Sequence, residues 1–249
     1  MKFAKSYDNL ARWYAWLERL AFGRLLTLVR QDVLANVLND LKAGQRLLVL
    51  GEGDGRFLQR FSRQCQVACQ VDCVDNSAAM LQQAQARLTN NKTTGNKITG
   101  NKITGNKITD NKLTGNQLLE VNFIHADVTC GIPTEGKYDA VVSVFFLDNF
   151  VTETLEPLTY NITNKLHPGG RWYVADFRVG KKRLHNQLWL WVMYRFFRLT
   201  TDIEANTLVD PTRWLEARLR LTKRRRWRGG FLVSETWQRL PRASPSTTP

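Results

Sequence analysis

The chain has 249 residues, of which 43% are hydrophobic and 23% are charged, and it carries a formal net charge of +14. This length and composition predict a soluble globular chain, either as one domain with a full-sized core or as such a domain with additional segments. No apolar run reaches the roughly 18 residues that a membrane span needs. Residues 1–8 contain no apolar signal core, so we expect a cytoplasmic location.

The positive charge is concentrated in two stretches of the sequence. Five lysines lie in a repeat insertion at 91–115, and residues 223–228 supply five more positive charges. A high positive charge is typical of nucleic-acid-binding proteins. Without the lysines of the insertion, however, the chain is only moderately basic. Nucleic acid is therefore the less favoured partner.

The four cysteines do not follow the spacing of a zinc site. Cys65 is predicted near a helix end, Cys69 and Cys73 on the second strand, and Cys130 lies further along the chain. A strand cannot gather these side chains around one ion. We therefore interpret the cysteines as buried thiols without a metal or redox role, and we expect no metal site.

In chain order, the first elements are helices. Residues 7–41 have apolar side chains at helical spacing, within a predicted N-terminal helical cap of residues 1–44. These helices precede the first strand. That position argues against a dinucleotide-dependent dehydrogenase, whose glycine motif usually lies near the start of the domain. Tyr7 and Tyr14 either cover a substrate pocket or pack with their helix on the sheet.

A buried strand followed by alternating glycines is the central motif. Residues 47–50 form a short apolar run, and glycines follow at positions 51, 53 and 55. Glycine allows a sharp turn and lets a ligand lie against bare backbone. Asp75 ends the second predicted strand (67–74), where a carboxylate in a doubly wound sheet binds the two hydroxyls of a ribose. Helices are predicted on either side of that strand, at 56–64 and 77–88, the second with Asn76 or Ser77 as N-cap.

Residues 91–115 are five copies of a five-residue unit that begins Asn-Lys. Each copy has at most one apolar residue, which is too little to form a core. We predict a flexible pentapeptide-repeat insertion without chemistry; a small stacked β-element is the alternative.

The remaining elements complete an α/β pattern. Strands are predicted at 121–126, 138–146 and 171–177, helices at 153–166, 184–199 and 211–219, a hairpin at 219–227 and 231–240, and a disordered tail at 241–249. This order predicts a doubly wound, mostly parallel seven-stranded sheet with helices on both faces and a C-terminal antiparallel hairpin. Ligands bind such sheets beyond the carboxyl ends of the strands. The glycine turn, Asp75, Asp127 and residues 145–149 all fall there.

With these motifs the chain resembles the class I S-adenosylmethionine-dependent methyltransferases, roughly over residues 45–240 apart from the insertion. The resemblance implies that Gly51-Glu52-Gly53-Asp54-Gly55 is the cofactor loop. It also implies that Asp75 binds the ribose, that Asp127 and Val128 bind the adenine, and that loop residues after the fourth strand, with Phe145, flank the methyl donor. Glu52 departs from the family, because many members have cysteine or another small residue at this position.

Methyl transfer requires mainly alignment of the nucleophile with the C–S bond, and a general base only if the nucleophile must lose a proton. Asp148 is our first candidate base, although it could equally be a solvated turn residue or a helix cap. Asp176 is the second candidate, with an ordinary loop carboxylate as the favoured interpretation. His125 either faces the pocket or packs, and His167 lies at the wrong end of the sheet for catalysis.

Three functions fit this sequence. The first is methyl transfer to a small or lipophilic acceptor, supported by the aromatic helix at 184–199, which could line a pocket or rest on a membrane surface. The second is methylation of nucleic acid or protein, supported by the basic hairpin. Residues 145–150, Phe-Phe-Leu-Asp-Asn-Phe, lack the Asn/Asp-Pro-Pro-aromatic loop of amino-methylating enzymes. The third is a non-catalytic S-adenosylmethionine-binding module, which the intact glycine loop argues against.

Overall fold

The structure, a computed structural model, describes residues 24–89, 119–178 and 209–241. Our predictions for the first part of the helical cap, the repeat insertion, the aromatic helix at 184–199 and the tail beyond Pro241 lie outside these residues. The domain boundaries stay predictions. None of the helices within the described ranges is long and apolar enough to cross a membrane.

A seven-stranded sheet forms the centre of the molecule, with the strand order β3-β2-β1-β4-β5-β7-β6. The strands are β1 (Gln45–Leu50), β2 (Cys69–Asp75), β3 (Leu119–His125), β4 (Tyr138–Val144), β5 (Leu166–Phe177), β6 (Leu219–Trp227) and β7 (Leu232–Arg239). The first five are parallel, and β7 pairs antiparallel with both β5 and β6. This confirms the predicted fold class. β2 and β4 lie on opposite sides of β1, and this reversal of the strand order creates a crevice at the carboxyl end of β1.

The described helices are α1 (Arg24–Asp40), α2 (Arg56–Gln64), α3 (Ala78–Thr89), α4 (Thr152–Lys165) and α5 (Thr212–Glu216). Short 3₁₀ turns follow β3 and β4, at Val128–Cys130 and Leu147–Asn149. The helix predicted at 211–219 is only five residues long, because β6 begins at Leu219 and pairs with β7 from its first residue.

The core has two layers, one on each face of the sheet. Leu47 and Val49 of β1 face the layer that contains α1, α2 and α3, whereas Leu48 and Leu50 face the layer of α4 and α5. All four side chains are at most 2% exposed. The continuous apolar run in β1 is therefore the pattern of a strand that is buried on both faces.

Two strand ends differ from the prediction. β5 begins at Leu166 instead of 171, because Leu166 pairs with Tyr138 across an irregularity before Arg171 pairs with Ala140. β4 ends at Val144 instead of Phe146, because Phe145 adopts a left-handed backbone with φ 56°.

The cysteine prediction is confirmed for three residues and wrong for the fourth. Cys65, Cys69 and Cys73 are buried thiols, whereas Cys130 is exposed because it lies in the 3₁₀ turn beyond β3. Within the described parts of the chain, no three His, Cys, Asp or Glu side chains are grouped so that they could hold a metal ion.

Candidate functional site

The glycine turn connects β1 to α2 at the carboxyl edge of the sheet. Gly51, Gly53 and Gly55 all have positive φ, at 61°, 64° and 84°. A Cβ atom at Gly51 would lie 2.3 Å from the Phe146 ring, and one at Gly55 would lie 2.6 Å from the Cα atom of Ala84. A Cβ atom at Gly53 would meet no atom within 4 Å. Gly51 and Gly55 are thus required by packing, whereas Gly53 leaves bare backbone beside open space.

Asp75 ties this turn to the end of β2. One carboxylate oxygen accepts a hydrogen bond from the Gly53 amide at 3.1 Å, and the other accepts one from the Ser77 amide at 2.9 Å. Each oxygen can accept a second hydrogen bond. Asp75 is 9% exposed, so its remaining acceptor capacity lies in a sheltered position beside Gly53. The Ser77 hydroxyl accepts from the Met80 amide, which supports Ser77 as the N-cap of α3.

The two acidic residues of the loop have partners within the protein. Glu52 Oε1 accepts hydrogen bonds from the Phe57 and Leu58 amides in the first turn of α2, at 2.7 and 3.1 Å. Burial raises the pKa of Glu52 to about 8, although these hydrogen bonds oppose the shift. Asp54 pairs with Arg56 at 2.9 Å and with Arg87 at 2.8 Å. Glu52, which departs from the family pattern, therefore acts as an internal cap for α2.

We expect Glu52→Gln to remove a pH dependence of stability. The amide oxygen of Gln can still accept the two α2 hydrogen bonds but cannot ionise. Because the folded pKa of Glu52 is raised, its contribution to stability is fully present below pH 4.5 and is lost as the pH rises through about 8. Urea unfolding at pH 5 and pH 9 should therefore show a smaller loss of stability in the variant than in the wild type. Equal losses in both proteins would contradict a raised Glu52 pKa.

The predicted adenine residues lie at the end of β3. Asp127 Oδ1 accepts hydrogen bonds from the Thr129 amide at 2.9 Å and from the Thr129 hydroxyl at 2.7 Å, and Val128 is buried. The Ala126 amide donates to the Asp75 carbonyl, which joins this segment to the end of β2. His125 is exposed and contacts the Asn76 carbonyl at 3.0 Å, so the favoured alternative of a packed histidine is wrong. As the last residue of β3, it lies beyond the helices that cover the sheet.

Two adjacent phenylalanines follow β4 and point to opposite layers. The Phe145 amide donates to the Ala175 carbonyl at 2.7 Å, and its ring lies 5.3 Å from the Phe177 ring, measured between centroids. The Phe146 ring packs against Gly51. A positive φ in a bulky residue costs on the order of 1–3 kcal/mol, and such strain is concentrated at functional sites. The strained Phe145 thus marks the crevice beside the glycine turn.

Arg30 of α1 is a site residue that sequence reasoning missed. Its guanidinium lies 4.9 Å from the centre of the Phe145 ring, and its charge lowers the pKa of Glu52. Arg30 therefore stands between the end of β4 and the glycine turn. Single arginines are common in long helices, so the sequence did not indicate that Arg30 lies beside the glycine turn.

Both candidate bases lie at the carboxyl edge, close to each other. Asp176 is fully buried, with 0% exposure, and its Oδ2 accepts a hydrogen bond from the Leu147 amide at 3.1 Å. Asp148 is partly exposed. Burial raises the pKa of Asp148 to about 6, and burial together with the charge of Asp148 raises the pKa of Asp176 well above its usual range. The prediction of Asp176 as an ordinary loop carboxylate is wrong, because β5 carries it into the core.

A buried ion pair lies next to these two aspartates, and the sequence did not indicate it. Arg178, 5% exposed, contacts Glu235 of β7 at 3.0 Å and Asp210 at 3.4 Å. Its positive charge lowers the pKa of both Asp148 and Asp176. His167 lies at the opposite end of the sheet, where it lines a surface cavity with Tyr173 and neighbouring residues, as predicted.

The structure thus brings most of the predicted site residues to one edge. The glycine turn contacts Asp75 and Phe146, and the end of β3 joins Asp75 through the backbone. Open backbone at Gly53 beside a carboxylate with free acceptor capacity fits a ligand that carries hydroxyl groups. The two aspartates provide a carboxylate that can take up a proton.

Comparison with known proteins identifies the architecture. The family model described as "Methyltransferase domain" matches residues 48–174. No curated protein sequence matches the chain. The N-methyltransferase NodS from Bradyrhizobium japonicum WM9, in complex with S-adenosyl-L-homocysteine, is similar in structure, with a TM-score of 0.58, 13% identity, and coverage of 94% of this chain and 98% of that one.

Two further solved structures show the same fold. The magnesium protoporphyrin IX methyltransferase from Synechocystis PCC 6803, with bound S-adenosyl-L-homocysteine, has a TM-score of 0.56 and 15% identity and covers 87% of this chain and 83% of that one. An O-methyltransferase family protein from Burkholderia thailandensis has a TM-score of 0.60 and 15% identity, with coverage of 96% and 62%. At these identities the likeness shows the fold alone.

Proposed function

Since the chain belongs to the class I S-adenosylmethionine-dependent methyltransferases, we propose that it transfers a methyl group to a small or lipophilic acceptor. The enzyme uses S-adenosylmethionine, which supplies an electrophilic methyl group on a sulfonium. The task of the protein is then to hold this group and the acceptor in line.

The described residues fit the cofactor. Asp75 has the free acceptor capacity for the ribose hydroxyls, and Gly53 offers bare backbone beside it. Asp127 and Val128 lie along the same edge, where the resemblance to the family puts the adenine. Arg30, whose guanidinium lies over the Phe145 ring and whose charge acts on Glu52, is a cation that we expect to attract a carboxylate at the other end of the ligand.

The aromatic surroundings of the crevice carry the proposal of a small or lipophilic acceptor. The rings of Phe146 and Phe150 meet at 5.0 Å, and Phe145 packs on Phe177. The turn directly after β4, residues 145–150, contains no proline, so the Asn/Asp-Pro-Pro-aromatic loop that binds a planar amino group is not present there. A neighbour in structure is a magnesium protoporphyrin IX methyltransferase, and its small-molecule substrate supports a small-molecule acceptor here.

A macromolecular acceptor is the second candidate, because β6 is strongly basic. Several of its cations already have partners in the protein. Arg224 pairs with the buried Glu235 at 2.7 Å, Arg225 pairs with Asp32 at 2.9 Å, and Lys223 donates to Asn36. These pairs leave fewer charges for phosphates, which favours the small acceptor.

The experiment that tests this proposal follows a labelled methyl group. Purified protein is incubated with methyl-labelled S-adenosylmethionine and with separated metabolite, RNA and protein fractions of a cell extract. We expect label in organic-soluble small molecules. If the aromatic residues of the 184–199 segment line the acceptor pocket, the variant Trp191→Ala/Tyr194→Ala should keep cofactor binding while transfer falls.

The matched control changes the exposed arginines of β6 whose loss does not break a buried pair. Arg220→Gln with Arg226→Gln should leave transfer to small molecules unchanged. Label that enters RNA or protein, and disappears with these two arginines, would replace the small-molecule proposal with the macromolecular one.

Peripheral membrane contact in the cytoplasm is a further part of the proposal. If a lipophilic acceptor is drawn from an anionic bilayer, Arg195→Glu with Arg198→Glu should reduce the partition coefficient onto phosphatidylglycerol vesicles, measured by sedimentation, by about thirtyfold or more, since the two lost basic residues contribute about 1 kcal/mol each near such a surface. Unchanged sedimentation would exclude the membrane role of this segment.

A further inference from the structure

Asp148 and Asp176 reach the same place from different elements. Asp148 lies in the turn after β4, and Asp176 lies near the end of β5. Asp176 Oδ2 accepts a hydrogen bond from the Leu147 amide, whereas its Oδ1 is buried and meets no hydrogen-bond donor among the residues that the structure describes. A buried, ionised carboxylate oxygen without a donor is strongly unfavourable. If the oxygen carries a proton, it becomes a donor and needs an acceptor instead.

The acceptor available to that proton is Asp148. Asp148 lies in the same short turn as Leu147, whose amide binds the other oxygen of Asp176 at 3.1 Å. A hydrogen bond between the two carboxyl groups lowers the pKa of Asp148 and raises that of Asp176. Two like charges so close cannot both be ionised at low cost, so such pairs share one proton. The more buried member, Asp176, retains the proton, and the partly exposed Asp148 is ionised.

The charged neighbours support this division. Arg178 favours ionisation of both aspartates, but its guanidinium is also bound to Glu235 and Asp210. Glu235 in turn accepts from Arg224 of β6 and from the Trp237 indole at 3.0 Å. The positive charge of Arg178 is therefore shared among several carboxylates. One negative charge on the aspartate pair matches this environment better than two.

We propose that Asp176 holds a proton in a hydrogen bond to Asp148 and thereby positions the Asp148 carboxylate as the base for an acceptor that must lose a proton, such as a hydroxyl group. The inference rests on the proposed methyl transfer and names the class of its acceptor. Asp148 is the catalytic residue, and Asp176 is a positioning residue that acts through it.

The proton balance of the step is simple. As the bond from the acceptor oxygen to the methyl carbon forms and the C–S bond breaks, the O–H proton passes to Asp148 and the sulfonium becomes a neutral thioether. The pair then holds two protons. Asp148, which is partly exposed, releases one of them to water and regenerates the ionised base.

Carbon-13 NMR of the aspartate carboxyl groups tests the shared proton without any acceptor. The protein is labelled with carboxyl-¹³C aspartate, saturated with S-adenosyl-L-homocysteine and titrated from pH 4 to pH 9. We expect one carboxyl carbon to keep its protonated chemical shift at pH 7, and this signal should be missing in Asp176→Asn. A spectrum in which every aspartate is ionised at pH 7 would overturn the proposal.

The pH profile of methyl transfer then separates a positioning role from a merely structural one. Transfer in the wild type should rise with pH through the pKa of Asp148, about 6. In Asp176→Asn the amide can still donate to Asp148, so the profile should stay in place. In Asp176→Ala the donor is lost, and the profile should move upward by about one pH unit or more. Identical profiles for the Asn and Ala variants would contradict the role of Asp176.

The role of the base is tested in the same labelled-methyl assay. Asp148→Asn should lower the transfer rate by about 10²- to 10⁴-fold while cofactor affinity is retained. Asp139→Asn, at the amino end of β4, is the control with the same chemical change and should transfer at the wild-type rate. Full activity of Asp148→Asn would overturn the proposal. If no metabolite accepts label from the wild type, the proposed function fails, and the NMR titration still decides whether the proton is shared.

Discussion

Gly55→Ala is expected to destabilise the folded protein by about 2–5 kcal/mol. The residue has φ 84°, and a left-handed backbone costs a residue with a Cβ atom about 1–2 kcal/mol. The added Cβ atom would also lie 2.6 Å from Cα and 2.8 Å from Cβ of Ala84 in α3. These atoms belong to a helix and cannot rotate away, so overpacking adds about 1–3 kcal/mol. Urea unfolding of the isolated protein measures the total.

Gly53→Ala is the matched control for this experiment. Its φ of 64° carries a similar backbone cost, but its Cβ atom would meet nothing within 4 Å. We expect Gly53→Ala to lower the free energy of unfolding only by the backbone cost, about 1–2 kcal/mol. It should also weaken cofactor binding, because the new methyl group occupies the open space beside Gly53. Equal destabilisation by both variants would show that α3 moves away from the Cβ atom added at Gly55 at little cost in free energy.

Asp75→Ala is expected to weaken the binding of S-adenosylmethionine by about ten- to a hundredfold or more. A charged hydrogen bond to a ribose hydroxyl contributes about 1.5–3 kcal/mol, and the carboxylate makes up to two of them. The variant also loses the hydrogen bonds that hold the Gly53 and Ser77 amides, so the glycine turn loses its support. Isothermal titration calorimetry with the cofactor gives the change in affinity directly.

Asp75→Asn separates the two contributions. Its amide oxygen can still accept one of the two backbone hydrogen bonds, whereas the negative charge toward the ribose is lost. An affinity intermediate between wild type and Asp75→Ala is expected. Asp139→Asn, at the other end of the sheet, should bind as the wild type does. An unchanged affinity in Asp75→Ala would remove Asp75 from the cofactor site.

The elements of the sheet could be predicted well because their signals are local. The apolar run at 47–50 is short and continuous, as burial on both faces requires, and the glycines after it permit the sharp turn that follows. The predicted positions of β2, β3, β6 and β7 agree with the structure to within about two residues. Strand ends were less predictable, because pairing across the sheet extends β5 back to Leu166.

The candidate site was predictable in its residues but not in their partners. The spacing from Gly55 to Asp75 follows from one strand-helix-strand unit, so the sequence predicts that both residues lie at the same edge of the sheet. The sequence did not indicate Glu52 as the cap of α2, because its carboxylate binds amides that lie five and six residues further along the chain. Arg30 reaches the Phe145 ring because α1 packs over β5 and β7, beside the turn that follows β4.

By itself, the sequence determined the doubly wound sheet, the glycine turn and the acidic residue beyond β2, because periodicity and turn chemistry act over a few neighbouring residues. Only the tertiary structure decided which polar groups meet. Asp72 receives the Tyr138 hydroxyl at 2.6 Å and the Arg46 guanidinium at 2.7 Å, and Asp176 of β5 accepts from the Leu147 amide in the turn after β4 at 3.1 Å. Such contacts depend on strand order and register, which place residues 26 to 66 positions apart side by side. The protonation of Asp176 follows from this burial, and no local pattern encodes it.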